Sequence, residues 1–160
     1  MQHKFSHRFS PPAPLVALRV HRPGRAQARQ VESLVDSGAD FCALPRWVVS
    51  ILQLRAEKST QSAGVVGRAR PVALYRVDLD LVHAGGSSDE LTSASSIGSR
   101  IGHYFRQRVL GPWTFPGLWV DATPLEVAIL GREVLRHLKV TIDGPRQILR
   151  LTRPRTPPDR

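Results

Sequence analysis

Cysteine is almost missing from this chain: Cys42 stands alone among 160 residues. A single thiol excludes an internal disulfide framework and suits a reducing compartment. Cys42 therefore reads as a small packed hydrophobe. No apolar run is long enough to cross a bilayer as a helix. No apolar leader core occurs near the start, where Pro11, Pro12 and Pro14 interrupt the chain, so no signal peptide is expected. A cytoplasmic location and no membrane partner follow as expectations. Metal-ligand spacing is absent as well. His3, His7, His21, His83, His103 and His137 are scattered, with no grouping around Cys42, so neither a metal nor another cofactor is expected. No internal repeat occurs.

Acidic residues are absent from the first 31 positions, which carry +6 from Lys4, Arg8, Arg19, Arg22, Arg25 and Arg29. Residues 32–143 balance to zero, and residues 144–160 carry +4. The net charge of +10 thus sits at the two ends. Basic ends can hold nucleic acid through phosphate contacts. These ends lack the interleaved aromatics of a base-stacking surface, so solubilising arginines are the favoured reading and nucleic acid the lesser one.

What is present is one domain with enough apolar content, 41%, for a real core. Its most informative stretch is Leu34-Val35-Asp36-Ser37-Gly38-Ala39-Asp40. Val31 to Val35 alternates and is β-branched, as a short strand is. Gly38 follows as a turn former. Asp36 is thereby placed at a strand end, on a turn. Asp, Ser and Gly also build ordinary solvated turns. Here, however, Phe41-Cys42-Ala43-Leu44-Pro45 continues apolar. An aspartate flanked by apolar sequence on both sides is expected to be partly buried, and a buried carboxylate needs a partner.

Around this stretch the chain reads mainly as strands. Residues 1–13 are polar and are expected to form a flexible N-terminal segment. Leu15 to Val20 and Ala26 to Val35 make a hairpin across the Pro23-Gly24 turn. Trp47, Val48, Ile51, Leu52 and Leu54 suit a short amphipathic helix with Pro45 near its start. Arg70 to Leu81 alternates as a half-buried strand. With the polar stretch before it, this strand makes a projecting hairpin tipped by Gly64-Val65-Val66-Gly67. Residues 83–113 read as a loop or insertion, and Tyr104 to Val120 holds at least one strand. Val127 to Gly131 is a buried strand, Arg132 to Leu138 a short helix, and Lys139 to Leu151 a hairpin turning at Asp143-Gly144. Residues 153–160 are expected to form a flexible basic tail. Trp47, Trp113 and Trp119 read as core, and His137 as a surface or cap residue.

The run at Asp36-Ser37-Gly38-Ala39, with Ala43-Leu44-Pro45 after it, resembles the active-site motif of retropepsin-like aspartic proteases. Ile129-Leu130-Gly131-Arg132 followed by Leu135 resembles the family's second signature. The resemblance covers roughly residues 14–152 and implies a small closed β-barrel-like acid protease fold with one or two short helices and a flap hairpin. It implies that Gly131 lets its strand pass close to the catalytic turn and that Arg132 braces Asp40. Glu133 stands where the family has Asp or Asn, which alters a helix-capping detail. The resemblance further implies that Asp36 is catalytic and that Ser37, Gly38 and Ala39 support the turn. Gly38, Asp40 and the flap residues Gly64, Val65, Val66 and Gly67 would then meet a peptide substrate.

Aspartic protease chemistry needs two carboxylates sharing one proton. No second motif exists in the chain: Val120-Asp121-Ala122-Thr123 lacks the glycine, and Ile142-Asp143-Gly144-Pro145 lacks the hydroxyl residue. An active enzyme must therefore be a symmetric homodimer, each copy giving one Asp36. The competing readings are a non-catalytic peptide-binding or assembly module on the same fold and, below it, a basic nucleic-acid-binding protein.

Overall fold

The computed structural model describes residues 1–25, 27–62, 69–82 and 113–154. Alternating and β-branched segments become strands: β1 (Gln2–Lys4), β2 (Leu15–His21), β3 (Ala28–Val35), β4 (Cys42–Pro45), β5 (Ala56–Ser62), β6 (Arg70–Val82), β7 (Thr114–Thr123), β8 (Ala128–Leu130), β9 (Lys139–Asp143) and β10 (Ile148–Thr152). Two short helices interrupt them, α1 (Arg46–Ile51) and α2 (Arg132–Leu135).

The main sheet runs β2-β3-β8-β4-β7-β6-β5, and β2 also pairs with β6. That extra pairing closes six strands into a barrel and leaves β5 attached to β6 alone. Closure removes the open edges that a six-stranded sheet would otherwise expose. Most of the strands meet antiparallel, but β3 with β8 and β4 with β7 are parallel. Inside lie Leu18, Val20, Leu44, Val77, Leu79, Val120 and Leu130, each nearly or fully shielded from solvent. Fully burying such side chains contributes roughly 1.5–3 kcal/mol apiece.

The β6 pattern changes phase along its length. Leu74 is buried, then Val77, Leu79 and Leu81. The switch falls where the strand leaves its pairing with β5 and enters the barrel wall against β7 and β2. A bulge accompanies it in β7, where Gly117 takes a left-handed φ of 66° and donates its N–H to Asp78 Oδ1 at 2.8 Å. Only glycine takes that φ without steric cost.

Several expectations change. Residues 1–13 are not merely a polar lead-in: Gln2–Lys4 pairs with β10, His3 is buried, and Ser6 and Ala13 exchange backbone hydrogen bonds at 2.8 and 3.0 Å. A three-residue strand has too few positions to show a period, so only its partner reveals it. The short helix forms after Pro45, but Val48 and Leu52 face the core while Trp47 and Ile51 are exposed. Positions i and i+4 share a helix face, and the buried pair sits one residue further on than Trp47 and Ile51. In the terminal hairpin the positive φ falls on Gln147 at 52°, not on Gly144. A four-residue loop connects β9 to β10, with Arg146 N donating to Asp143 Oδ1 at 3.1 Å. Arg153, expected in a flexible tail, lies over Phe115. The flap tip Gly64-Val65-Val66-Gly67, nearly all of the 83–113 insertion and residues 155–160 lie outside the described residues.

Candidate active site

Strand β3 ends at Val35, whose N–H donates to Pro14 O at 3.1 Å. The next N–H, that of Asp36, donates to Leu130 O at 3.1 Å. The turn residue is thus tied to β8, which runs parallel to β3 and pairs Val35 with Leu130. One tether is the buried Leu130 of β8 and the other is Pro14, just before β2, so Asp36 starts from a rigid base.

The turn itself is narrow. Ala39 N approaches Asp36 O at 3.4 Å, and Gly38 N donates to Asp36 Oδ1 at 2.7 Å. A backbone N–H aimed at a carboxylate oxygen is a charge-assisted bond. Asp36 is half-buried, Ser37 and Gly38 are exposed, and Ala39 is half-buried. Oδ2 of Asp36 and the Ser37 hydroxyl make no hydrogen bond to the described residues. Gly38 does not take a left-handed φ, so its value here is not the turn angle expected from its type. A Cβ at that position would lie 3.1 Å from Asp36 Oδ1. Glycine leaves the carboxylate its room and keeps the N–H unobstructed.

Helix α2 clamps the other end of the turn. Arg132 N donates to Ala39 O at 2.8 Å and Glu133 N to Asp40 O at 3.1 Å. The first N–H groups of a helix have no partners within it. Here the turn carbonyls satisfy two of them, and no side chain caps α2. That is how the capping position altered by Glu133 is resolved. The Arg132 guanidinium also pairs with Asp40 Oδ1. Their side chains are 61% and 66% exposed, so the ion pair adds little stability. What it adds is direction, since a guanidinium and a carboxylate fix each other's orientation. The structure therefore brings Asp36, Gly38, Ala39, Asp40, Gly131 and Arg132 together.

Gly131 is where helix and turn come closest. A Cβ there would meet Phe41 O at 2.3 Å and Ala39 O at 2.9 Å. Its N–H donates to Cys42 Sγ at 3.4 Å. This role of Cys42 was not visible in the sequence, because the partners are 89 positions apart and a thiol acceptor has no local signature. The thiol is fully enclosed. Burial pushes its pKa from an ordinary 9.0 up to about 12, against a smaller opposing effect of the Gly131 N–H. Cys42 is therefore a neutral packing group that also accepts a hydrogen bond.

The other two aspartates that the sequence offered stand elsewhere. Asp121 lies on β7 opposite Ala43, and its Oδ1 accepts from Ala122 N at 2.5 Å. Burial raises its pKa, partly offset by that N–H. Asp143 closes the β9–β10 loop. Neither hydrogen-bonds to the 36–40 turn.

No protein-family model matches the chain, and no curated protein matches it in sequence. Among solved structures, it is similar to a retropepsin-like aspartic protease from Rickettsia conorii. The match has 14% identity, covers 94% of this chain and 88% of that one, and has a TM-score of 0.53. The EIAV protease complexed with the inhibitor HBY-793 also matches, at 15% identity over 78% of this chain and 86% of that one, with a TM-score of 0.38. With its closed six-stranded barrel, two short helices and β5–β6 hairpin, the chain has a retropepsin-like fold.

Proposed function

We propose that this chain is an aspartic endopeptidase that acts as a homodimer, with one Asp36 from each copy. The observation that carries this reading is the Asp36 turn. One carboxylate oxygen is held by Gly38 N, the other makes no hydrogen bond to the described residues, and both ends of the turn are fixed by backbone bonds to β8 and α2. An ordinary surface turn needs none of this support.

In the dimer, two Asp36 carboxylates meet and share one proton, because two negative charges so close cannot both persist. A water lies between them. The ionised Asp36 takes a proton from this water as its oxygen attacks the scissile carbonyl carbon. The protonated Asp36 gives its proton to the carbonyl oxygen, and a neutral tetrahedral diol forms. On collapse, a diol hydroxyl returns a proton to one carboxylate, the amide nitrogen takes a proton from the other, and the C–N bond breaks. Ser37, exposed at the turn, bonds across the two-fold axis. Gly38 and Asp40 hold the substrate backbone, and the β5–β6 hairpin closes over an extended peptide by strand pairing. Arg132 braces Asp40.

The test is Asp36→Asn with an unbiased peptide library as substrate. Cleavage by the natural chain, lowered on the order of 10³-fold in the variant, supports the reading, provided the variant keeps its circular dichroism spectrum. Sedimentation at the assay concentration should give a dimer. A strictly monomeric chain that still cleaves would overturn the mechanism. A dimer that binds peptides and cleaves none would make the chain a non-catalytic module on this fold.

A further inference from the structure

Away from the 36–40 turn, a groove of about 770 Å³ opens between the start of β7, α2 with the turn after it, and the residues following β10. Phe115, Pro116, Glu133, Arg136, His137 and Arg153 line it. None of these side chains has a part in the peptide-cleaving site proposed above. The volume falls within the range of ligand-binding clefts.

The lining is a cationic shelf on an aromatic base. The Arg153 guanidinium carbon lies 5.3 Å from the Phe115 ring centroid. The His137 ring lies 6.1 Å from the same ring, tilted by 37°. Arg136 Nε donates to His137 Nε2 at 3.1 Å. The guanidiniums of Arg136 and Arg153 supply permanent positive charge. Arg136, His137 and Arg153 are all exposed. Neither arginine forms an ion pair with a carboxylate among the described residues. Glu133 is the acid in the wall, and it is withdrawn. Its Oε1 faces Trp119 N at 3.5 Å, and its Oε2 is buried with no hydrogen-bond partner among the described residues.

Two open guanidiniums flanking an apolar strip suit a ligand with carboxylates on a short apolar frame. Arginine forks bind carboxylates through two parallel hydrogen bonds. A nucleic acid strand fits less well. The face of Phe115 is already covered by Arg153, so it is not free to stack on a base.

We propose that this groove is a docking site for an acidic peptide segment, with Arg136 and Arg153 each holding a carboxylate and the exposed Pro116 supporting the backbone between them. Helix α2 joins the groove to the Asp36 turn: the backbone of Arg132 and Glu133 holds Ala39 and Asp40, while the Glu133 side chain lines the groove. In a protease, the docked segment would belong to the substrate beyond the scissile bond. Docking itself does not depend on cleavage.

The experiment is fluorescence anisotropy with the Asp36→Asn protein, so that no peptide is consumed. The probes are fluorescein-labelled Asp-Glu-Phe-Asp-Glu and its amide counterpart Asn-Gln-Phe-Asn-Gln. The acidic peptide should bind at least about tenfold more tightly, and Arg136→Ala with Arg153→Ala should remove that advantage. The charge-matched pair Arg146→Ala with Arg150→Ala should change it less than about twofold. Arg136→Glu with Arg153→Glu should switch preference to Lys-Lys-Phe-Lys-Lys, a gain that misfolding cannot produce. Equal binding of acid and amide peptides, equal losses in the two alanine pairs, or no charge switch would overturn the proposal. So would an oligothymidylate of matched charge that binds more tightly than the peptide and is lost in the same variant. These readouts contain no cleavage step, so they fail or succeed separately from the protease reading.

Discussion

Gly131 lies directly against the carbonyl of Phe41: a side-chain carbon on Gly131 would sit 2.3 Å from Phe41 O and 2.6 Å from Phe41 C. Both are backbone atoms of the segment linking the Asp36 turn to β4. They cannot swing aside as a long side chain can. Absence of a side chain at position 131 is therefore what allows α2 to cap the turn.

Gly131→Ala should accordingly cost about 3 kcal/mol, at the upper end for overpacking. The measurement is the urea midpoint at constant m-value. Peptide cleavage should fall with it, because moving Phe41 moves Asp40 and the turn.

Arg132→Lys tests direction against charge. The pair with Asp40 is well exposed, so stability should change by less than about 1 kcal/mol. Lysine keeps the charge and loses the fork. If Arg132 orients Asp40 for substrate, kcat/KM should fall roughly 10- to 100-fold, as misplacement of a positioned group does. Denaturation curves and steady-state kinetics on the same sample separate the two effects.

Cys42 predicts a pH dependence. Its folded pKa is raised to about 12 from an ordinary value of 9.0. The folded state holds the proton more tightly than the unfolded one, so the contribution is complete below pH 9 and is lost as pH rises from 9 toward 12. Stability should drop between pH 9 and 10.5 more steeply in the natural chain than in Cys42→Ala. Thiol reagents at pH 8 should label Cys42 only after denaturant is added.

A shared active site has a further signature. In a mixture of natural chain with a ninefold excess of Asp36→Asn, most natural chains should end in mixed dimers. After exchange, activity should settle near about one-tenth of the unmixed value. Undiminished activity would mean that one chain carries the whole site.

The local elements were legible because their patterns are local. The β2–β3 hairpin follows from two alternating segments around Pro23-Gly24, with Leu15 paired to Leu34 and His21 to Ala28. The same hairpin delivers Asp36 to the end of β3. Arg132 and Asp40 could be matched through the family resemblance that their two short runs carry. The β1 strand could not be read, since it exists only by pairing with β10. The exposed faces of Trp47 and Ile51 were also hidden, because a helix of under two turns gives an ambiguous stripe. The groove beside Phe115 combines β7, α2 and Arg153, which no window of sequence brings together.

By itself the sequence determined the strand-rich character, the turn at Asp36 and the single copy of that turn, while the match of Arg132 to Asp40 was implied by the family resemblance. The first three rest on side-chain period, turn chemistry and residue identity, which act over a few neighbours. Only the tertiary structure decided that β2 closes on β6, that Gly131 passes under Phe41, and that the N–H groups of α2 end on Ala39 and Asp40. These are contacts between segments tens of residues apart. Their geometry is set by close packing and by the need to satisfy buried backbone groups.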